Sequence, residues 1–329
     1  MGVSRNSLQA DLLGRLEAFA AARLTAGDAV YVGLSGGCDS VVLLHLLSRA
    51  GLAGRLAAIH VHHGLSPNAD AWADFCSACC QSLGVPLIVR SVNVERNSGH
   101  GLEAAARQAR YAAFSESLPA GACLLLAQHR GDQAETVLFN LLRGAGVAGA
   151  AAMRDERAQG ALRLLRPLLD VSRGEIEAYA RQYGLRWIDD ESNADTRFTR
   201  NFLRHEALTA INQRFPNAEV ALARAAANFA EASDLLDELA AEDWQRVVDG
   251  KTGTETARLV EMRSLSLARL KNLLRWRLRQ LGWQVPVAAR LDEFSRQLMT
   301  AAPDRHPELV LPAGTMRLAR GRLHWSALE

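Results

Sequence analysis

Residues 31–44, Tyr31-Val32-Gly33-Leu34-Ser35-Gly36-Gly37-Cys38-Asp39-Ser40-Val41-Val42-Leu43-Leu44, decide the fold. An apolar run, Ala29–Leu34, ends in a turn of glycines and hydroxyls, and a stretch of helical spacing, Val41–Arg49, follows. Strand, turn and helix in that order open a doubly wound sheet, whose ligands bind at such turns. Gly36 and Gly37 let the backbone turn sharply and approach an anion closely. The helix start then offers free N–H groups and the positive end of its dipole. Ser35, Cys38 and Ser40 line the same turn, the serines as hydroxyl donors. Asp39 cannot donate when ionised, so beside a polyphosphate it calls for a divalent cation between them. The loop is not G-x-x-x-x-G-K-S/T, having no lysine, and it is not G-x-G-x-x-G.

The pattern repeats outward from this loop. Leu56–Val61, Pro86–Val92 and Ala122–Ala127 read as buried parallel strands, alternating with helices at Asp70–Leu83, Leu102–Leu118 and Asp132–Arg143. The expectation is an α/β fold, a doubly wound parallel sheet of Rossmann type. A helix over Leu8–Leu24 precedes it. A polar bridge with Arg166-Pro167-Leu168-Leu169 and helices at Ser172–Tyr183 and Thr199–Ile211 complete it. Phe215-Pro216 marks the expected boundary, because the residue before proline is pushed out of helical conformation. The domains predicted are residues 1–215, catalytic, and residues 216–329, mainly helical. The latter carries helices at Asn217–Val248, Leu265–Leu281 and Val287–Met299, then short strands in the last 20 residues.

Composition narrows the classes. A chain of 329 residues with 49% hydrophobic and 22% charged residues is a globular protein of about two domains. The net charge of +2 excludes a polybasic tail but not a local nucleic-acid footprint. Only Lys251 and Lys271 are lysines, so no site before residue 251 depends on one. No apolar run reaches the ~18–20 residues that span a bilayer, and the N-terminus lacks a signal-type core, so a cytoplasmic protein is expected. The five cysteines, Cys38, Cys76, Cys79, Cys80 and Cys123, argue against a disulfide framework. Cys76, Cys79 and Cys80 read either as ordinary helix cysteines or as a metal or redox group.

Other segments add polar side chains at the sheet edge. His60, His62 and His63 end the second strand, for nucleotide contacts or a metal. Glu103, Arg107 and Arg110 share a helix face, suited to phosphate or simply solvated. Asp132 opens the next helix, as a cap, a magnesium ligand or a base. Arg197, Arg200 and Arg204 fall on one face of Thr199–Ile211, a clamp for phosphates. Charge in the second half is segregated. Eight acids and two bases lie between Glu231 and Glu255, eight bases and one acid between Arg258 and Arg290. The basic stretch is either a footprint for nucleic-acid phosphates or a partner for the acidic one.

The motifs SGGCDS, IHVHHGLS, EAAARQARY, GDQAETVLFNLLRGAG, RPLL and WIDDESN followed by RNFLR, in that order over most of residues 28–205, closely resemble tRNA(Ile)-lysidine synthetases. These belong to the N-type ATP pyrophosphatases. The second domain is similar to the family's first C-terminal domain, and the chain is expected to be a short form without the last one. The resemblance implies ATP and Mg2+ as cofactors, and L-lysine and the CAU-anticodon isoleucine tRNA as substrates. It implies an adenylate at C2 of the wobble cytidine that lysine displaces, and it leaves a homodimer open. Carried onto this chain, Ser35, Gly36, Gly37, Cys38, Asp39, Ser40, His62, Arg107 and Arg110 would bind nucleotide. Asp39 and Asp132 would hold Mg2+, and Asp39, Asp132, Arg200 and Arg204 would serve catalysis. The chain departs from the family at Gly131, where an aspartate is usual. The rivals are a tRNA 2-thiolation enzyme using Cys76, Cys79 and Cys80, and a non-catalytic ATP- or RNA-binding module.

Overall fold

The computed structural model describes residues 11–52, 54–94, 101–191, 195–250, 256–302 and 304–328. Leu8 of the expected first helix, Lys251, and Ser192 and Asn193 of the WIDDESN segment lie outside them. The chain forms two compact units, Met1–Ala230 and Glu231–Glu329, with the division inside a long helix.

The first unit is built around the opening stretch. Strand β1 (Val30–Gly33) is central, flanked by β2 (Leu56–His62) and β4 (Cys123–Leu125), with β3 (Leu87–Ser91) outside β2. All four run parallel, in registers such as Val32 opposite both Ala58 and Leu125. Branched and leucine side chains buried on both faces explain why β2 and β4 read as near-continuous apolar runs, whereas β3, expected to be buried, is a largely exposed edge strand. One face packs against helices α1 (Asp11–Arg23) and α2 (Cys38–Arg49), with Leu16, Val32, Val42 and Leu46 buried between them. The other carries α4 (Leu102–Ser117), whose Phe114 packs with Ile59 and Leu124. Helix α3 (Ala69–Ser82) seats Cys76 and Cys80 in the first of these cores. Each fully buried leucine contributes roughly 1.5–3 kcal/mol.

The expected polar bridge holds instead a hairpin, β5 (Glu156–Gln159) and β6 (Leu162–Leu165). β6 adds parallel to β4, and β5 closes the edge antiparallel, giving the order β3-β2-β1-β4-β6-β5. The strand order therefore turns at β1 and β4, and the crevice at their carboxyl ends is the expected ligand position. Helix α5 (Arg130–Leu142) leaves from that edge after β4, and α6 (Arg173–Gln182) follows the hairpin. Ser172 caps α6 in a capping box with Glu175.

The expected single helix Thr199–Ile211 is broken into α7 (Thr199–Phe202), a π-turn at Leu203–Ala207 and α8 (Leu208–Arg214). Arg197 precedes the helical part and folds back on Asp195, so the three-arginine face is reduced to Arg200 and Arg204. Helix α9 (Ala218–Val247) is the long alanine-rich stretch.

The second unit is less purely helical than expected. Helices α10 (Leu259–Arg263), α11 (Leu267–Gln280) and α12 (Ala288–Thr300) accompany five antiparallel strands. These are β7 (Val248–Asp249), β8 (Thr256–Arg258), β9 (Glu308–Leu311), β10 (Gly314–Ala319) and β11 (Arg322–Ala327), in the order β7-β8-β11-β10-β9. Trp244, Leu270, Leu274, Phe294, Met316 and Leu323 form its core.

Candidate active site

The phosphate loop is fixed from within. Ser40 Oγ donates to the Gly37 carbonyl (2.9 Å) and accepts from the Ser35 amide (3.2 Å), and the two serine hydroxyls meet at 3.1 Å. Gly36 has φ +87°, and a Cβ there would lie 2.6 Å from Ile188 Cδ1, so both backbone and space require glycine. Gly37, at φ −71°, precedes α2 with no side chain capping the helix, which leaves that end to an anion.

Asp39, in the first turn of α2, lies on this loop and meets Arg173 of α6, whose Nη1 is 2.7 and 2.6 Å from its two oxygens. His129, buried at the start of α5, joins Asp39 to Asp132. Its Nδ1 accepts the Gly131 amide (3.0 Å), so the proton sits on Nε2. That nitrogen lies 4.0 Å from Asp39 Oδ2 and 3.6 Å from Asp132 Oδ2. Asp132 in turn accepts the His129 amide at 3.0 Å, completing a reciprocal cap. A Cβ at Gly131 would fall 2.8 Å from His129 Cε1, so glycine at this position is what lets the ring fold back over the helix start. Burial raises the Asp39 carboxyl above its ordinary value, and His129 and Arg173 pull it back.

One turn further along α5 stands Glu135, 1% exposed. Its Oε2 takes Arg204 (Nε at 3.0 Å, Nη2 at 2.9 Å), while Oε1 has no hydrogen bond and Arg200 Nη1 stands 3.6 Å away. Burial pushes this carboxyl up to about 6, with Arg204 opposing. Arg204 also reaches Asp132 Oδ1 (3.0 Å), and Arg200 reaches Glu103 (3.2 Å). The π-turn thus sets Arg204 against two carboxylates of one helix face. Glu135 and Arg173 were not singled out from the sequence. Glu135 carried a legible sign, falling three residues after Asp132, whereas Arg173 acts 134 residues from Asp39.

The structure therefore brings together Ser35, Gly36, Gly37, Cys38, Asp39, Ser40, Asp132 and Arg204, with Arg200 beside them. His62 points elsewhere, to Asp70 (3.0 Å). His60 is buried and donates to the Leu34 carbonyl (2.8 Å), tying β2 to the loop. His63 has a buried Nδ1 without a hydrogen bond, and burial together with Arg110 takes its ring down to about 4. The three histidines thus do not converge, and among the described residues no group of three or more His, Cys, Asp or Glu is placed to hold a metal. Arg107 stacks on Tyr111, 4.9 Å from the ring centroid. Burial pushes the thiols of Cys38 and Cys80 up to about 11 and that of Cys76 to about 12, so none is a ready nucleophile. Mg2+ takes one or two carboxylates and completes its shell with water and phosphate oxygens. Asp39 and Asp132, two hard oxygen donors bridged by one histidine beside the loop, fit that demand.

In the second unit the basic stretch meets the acidic one. Arg269 pairs with Asp243 (2.9 and 2.5 Å), Arg279 with Asp237, Lys271 with Asp292 and Arg258 with Glu261. Arg277 stacks on Trp244 and Trp325. Arg269 and Arg279 of the basic stretch therefore pair with the acidic one, while Arg258 and Lys271 pair within or just beyond their own segment.

Loop, sheet order and site define a PP-loop protein, and residues 9–211 match the PP-loop domain family. Residues 258–324 match the TilS substrate binding domain. A tRNA(Ile)-lysidine synthase of Alkalilimnicola ehrlichii is 47% identical over 89% of this chain and 65% of its own length. One of Pseudomonas aeruginosa is 46% identical, over 89% and 68%. The chain belongs to the tRNA(Ile)-lysidine synthase family, and it spans about two thirds of the length of these curated relatives. Among solved structures, the U34-tRNA thiolase NcsA from Methanococcus maripaludis shares the fold, with a TM-score of 0.55 and 16% identity over 68% of this chain and 79% of that one.

Proposed function

We propose that this chain is an ATP-dependent ligase that joins L-lysine to C2 of the wobble cytidine in the CAU-anticodon isoleucine tRNA. The cytidine O2 attacks the α-phosphorus of ATP and pyrophosphate leaves. The lysine amine, having lost a proton, then attacks C2, and the C2–O bond breaks to release AMP. Residues 1–215 are the catalytic part and residues 216–329 bind the tRNA. The reading has the reaction take place in the cytoplasm, and among the described residues no helix is long and apolar enough to cross a membrane.

The observation that carries the proposal is the cluster Asp39, His129, Asp132, Arg204, Glu135 and Arg200 beside the phosphate loop, with successive contacts of 2.9–4.0 Å. Adenylation is chiefly positioning and electrostatics. The loop amides and hydroxyls of Ser35–Ser40 receive the leaving pyrophosphate. Asp39 and Asp132 would hold Mg2+, which would supply positive charge to neutralise the phosphates. Arg200 and Arg204 turn from their carboxylates to the phosphate oxygens, and the acidic face they leave accepts an amine. Glu135, beside Asp132, takes the amine proton. Glu135 suits that work because burial brings its carboxyl up to about 6, close to neutral pH while still able to accept a proton.

The test is incorporation of labelled lysine into the CAU-anticodon tRNA with ATP and Mg2+. Incorporation dependent on all three is expected. Nucleotide binding without incorporation would refute the reading and leave the non-catalytic module. The thiolation rival is tested by serine at Cys76, Cys79 and Cys80 together, which should leave incorporation within about threefold, the scale of a small packing change.

A further inference from the structure

We propose that Arg173 is a positioning residue that holds Asp39 in the place of a cation and hands it over when magnesium-nucleotide arrives. The inference rests on Asp39 being a magnesium ligand, as proposed above.

Three observations carry it. Arginine normally meets a carboxylate fork to fork, two nitrogens on two oxygens. Here a single nitrogen, Nη1, sits 2.7 and 2.6 Å from both Asp39 oxygens, so one point of positive charge covers the carboxylate as a cation would. Second, the guanidinium has somewhere else to go. Its Nε already donates to Glu177 Oε1 at 2.9 Å, one turn along α6, and the side chain is 43% exposed, so release needs no unpacking. Third, the platform is rigid. Ser172 and Glu175 cap the helix, and Ile176, Tyr179 and Ala180 are buried against α2, with Tyr179 OH 2.9 Å from His45 Nδ1. Only the side chain need move. Arg173 therefore neutralises Asp39 on a loop meant for a polyphosphate, and competes with the cation for the same carboxylate. Glu177 sets that competition by offering the guanidinium a second carboxylate.

Calorimetric binding of α,β-methylene ATP, titrated with Mg2+ and without tRNA, tests this. Arg173→Ala should lower the Mg2+ concentration at half-maximal binding about two- to fivefold, the scale of one partly exposed ion pair. Glu177→Gln should raise it about two- to threefold, because Arg173 then has only Asp39. Arg173→Lys, keeping the charge, should stay near the unsubstituted chain. An unmoved or raised midpoint in Arg173→Ala overturns the proposal. So does movement of both variants in one direction, or an equal loss of nucleotide affinity with and without Mg2+, which would make Arg173 a phosphate clamp. If the unsubstituted chain shows no Mg2+ stimulation, the magnesium role of Asp39 falls too. If it is stimulated while the variants do not diverge, only the handover falls.

Discussion

Two buried carboxylates, one in each unit, are treated in opposite ways. Asp243 of the second unit is 0% exposed and Arg269 satisfies both of its oxygens, at 2.9 and 2.5 Å. Glu135 of the first unit is 1% exposed, yet only Oε2 is matched, and its Oε1 is left with Arg200 at 3.6 Å. The first arrangement ties helix to helix and leaves nothing to react. The second keeps a carboxyl raised by burial beside a loop built for phosphates. Incomplete satisfaction of a buried charge costs stability, and a site that must exchange partners retains it.

That contrast breaks most visibly at Arg269. Arg269→Ala strands Asp243 without its counterion, and urea denaturation should show a clear loss of stability. An unchanged midpoint would mean that the pair is not what holds α11 to α9. At the other carboxylate the effect belongs in activity. Glu135→Gln should slow lysine incorporation by about 100-fold, some 2.7 kcal/mol of barrier, without unfolding the chain. Unchanged incorporation would remove Glu135 from the reaction.

The same variant sharpens the comparison through pH. Glu135 has a folded value of about 6 against an ordinary 4.5. Its contribution to stability is therefore full below the ordinary value and is lost as pH rises through about 6. Relative to the unsubstituted chain, Glu135→Gln should be more stable at pH 8 than at pH 5 by about 1–2 kcal/mol in paired denaturation curves. A difference of the opposite sign would show that the arginines outweigh burial. The smallest effect is expected at the exposed pair Arg279 and Asp237, where Arg279→Ala should cost about 0–1 kcal/mol. A weakening of tRNA binding by this variant would return the basic stretch to the role of a footprint.

The parts legible in the sequence were those with local causes. The strand, glycine turn and helix of residues 29–49 are set by neighbours, and β1, the loop and α2 follow them closely. The β5–β6 hairpin was hidden because Glu156–Gln159 is a polar edge strand with no alternation to read. The π-turn was hidden because Leu203–Ala207 has an ordinary helical pattern, and the widening is visible only against α5. Among the histidines, position in the strand could not tell which ring meets which partner. Asp70 on α3 takes His62, and the Leu34 carbonyl takes His60. Arg173 and Asp39 meet only because α6 folds onto α2, a contact over 134 residues that no window reveals.

The scarcity of lysine has a practical consequence. Of the two lysines in the chain, only Lys271 lies among the described residues, where it pairs with Asp292. A reagent that modifies side-chain ammonium groups would therefore leave the first 250 residues of the chain, and with them the phosphate loop, unmodified.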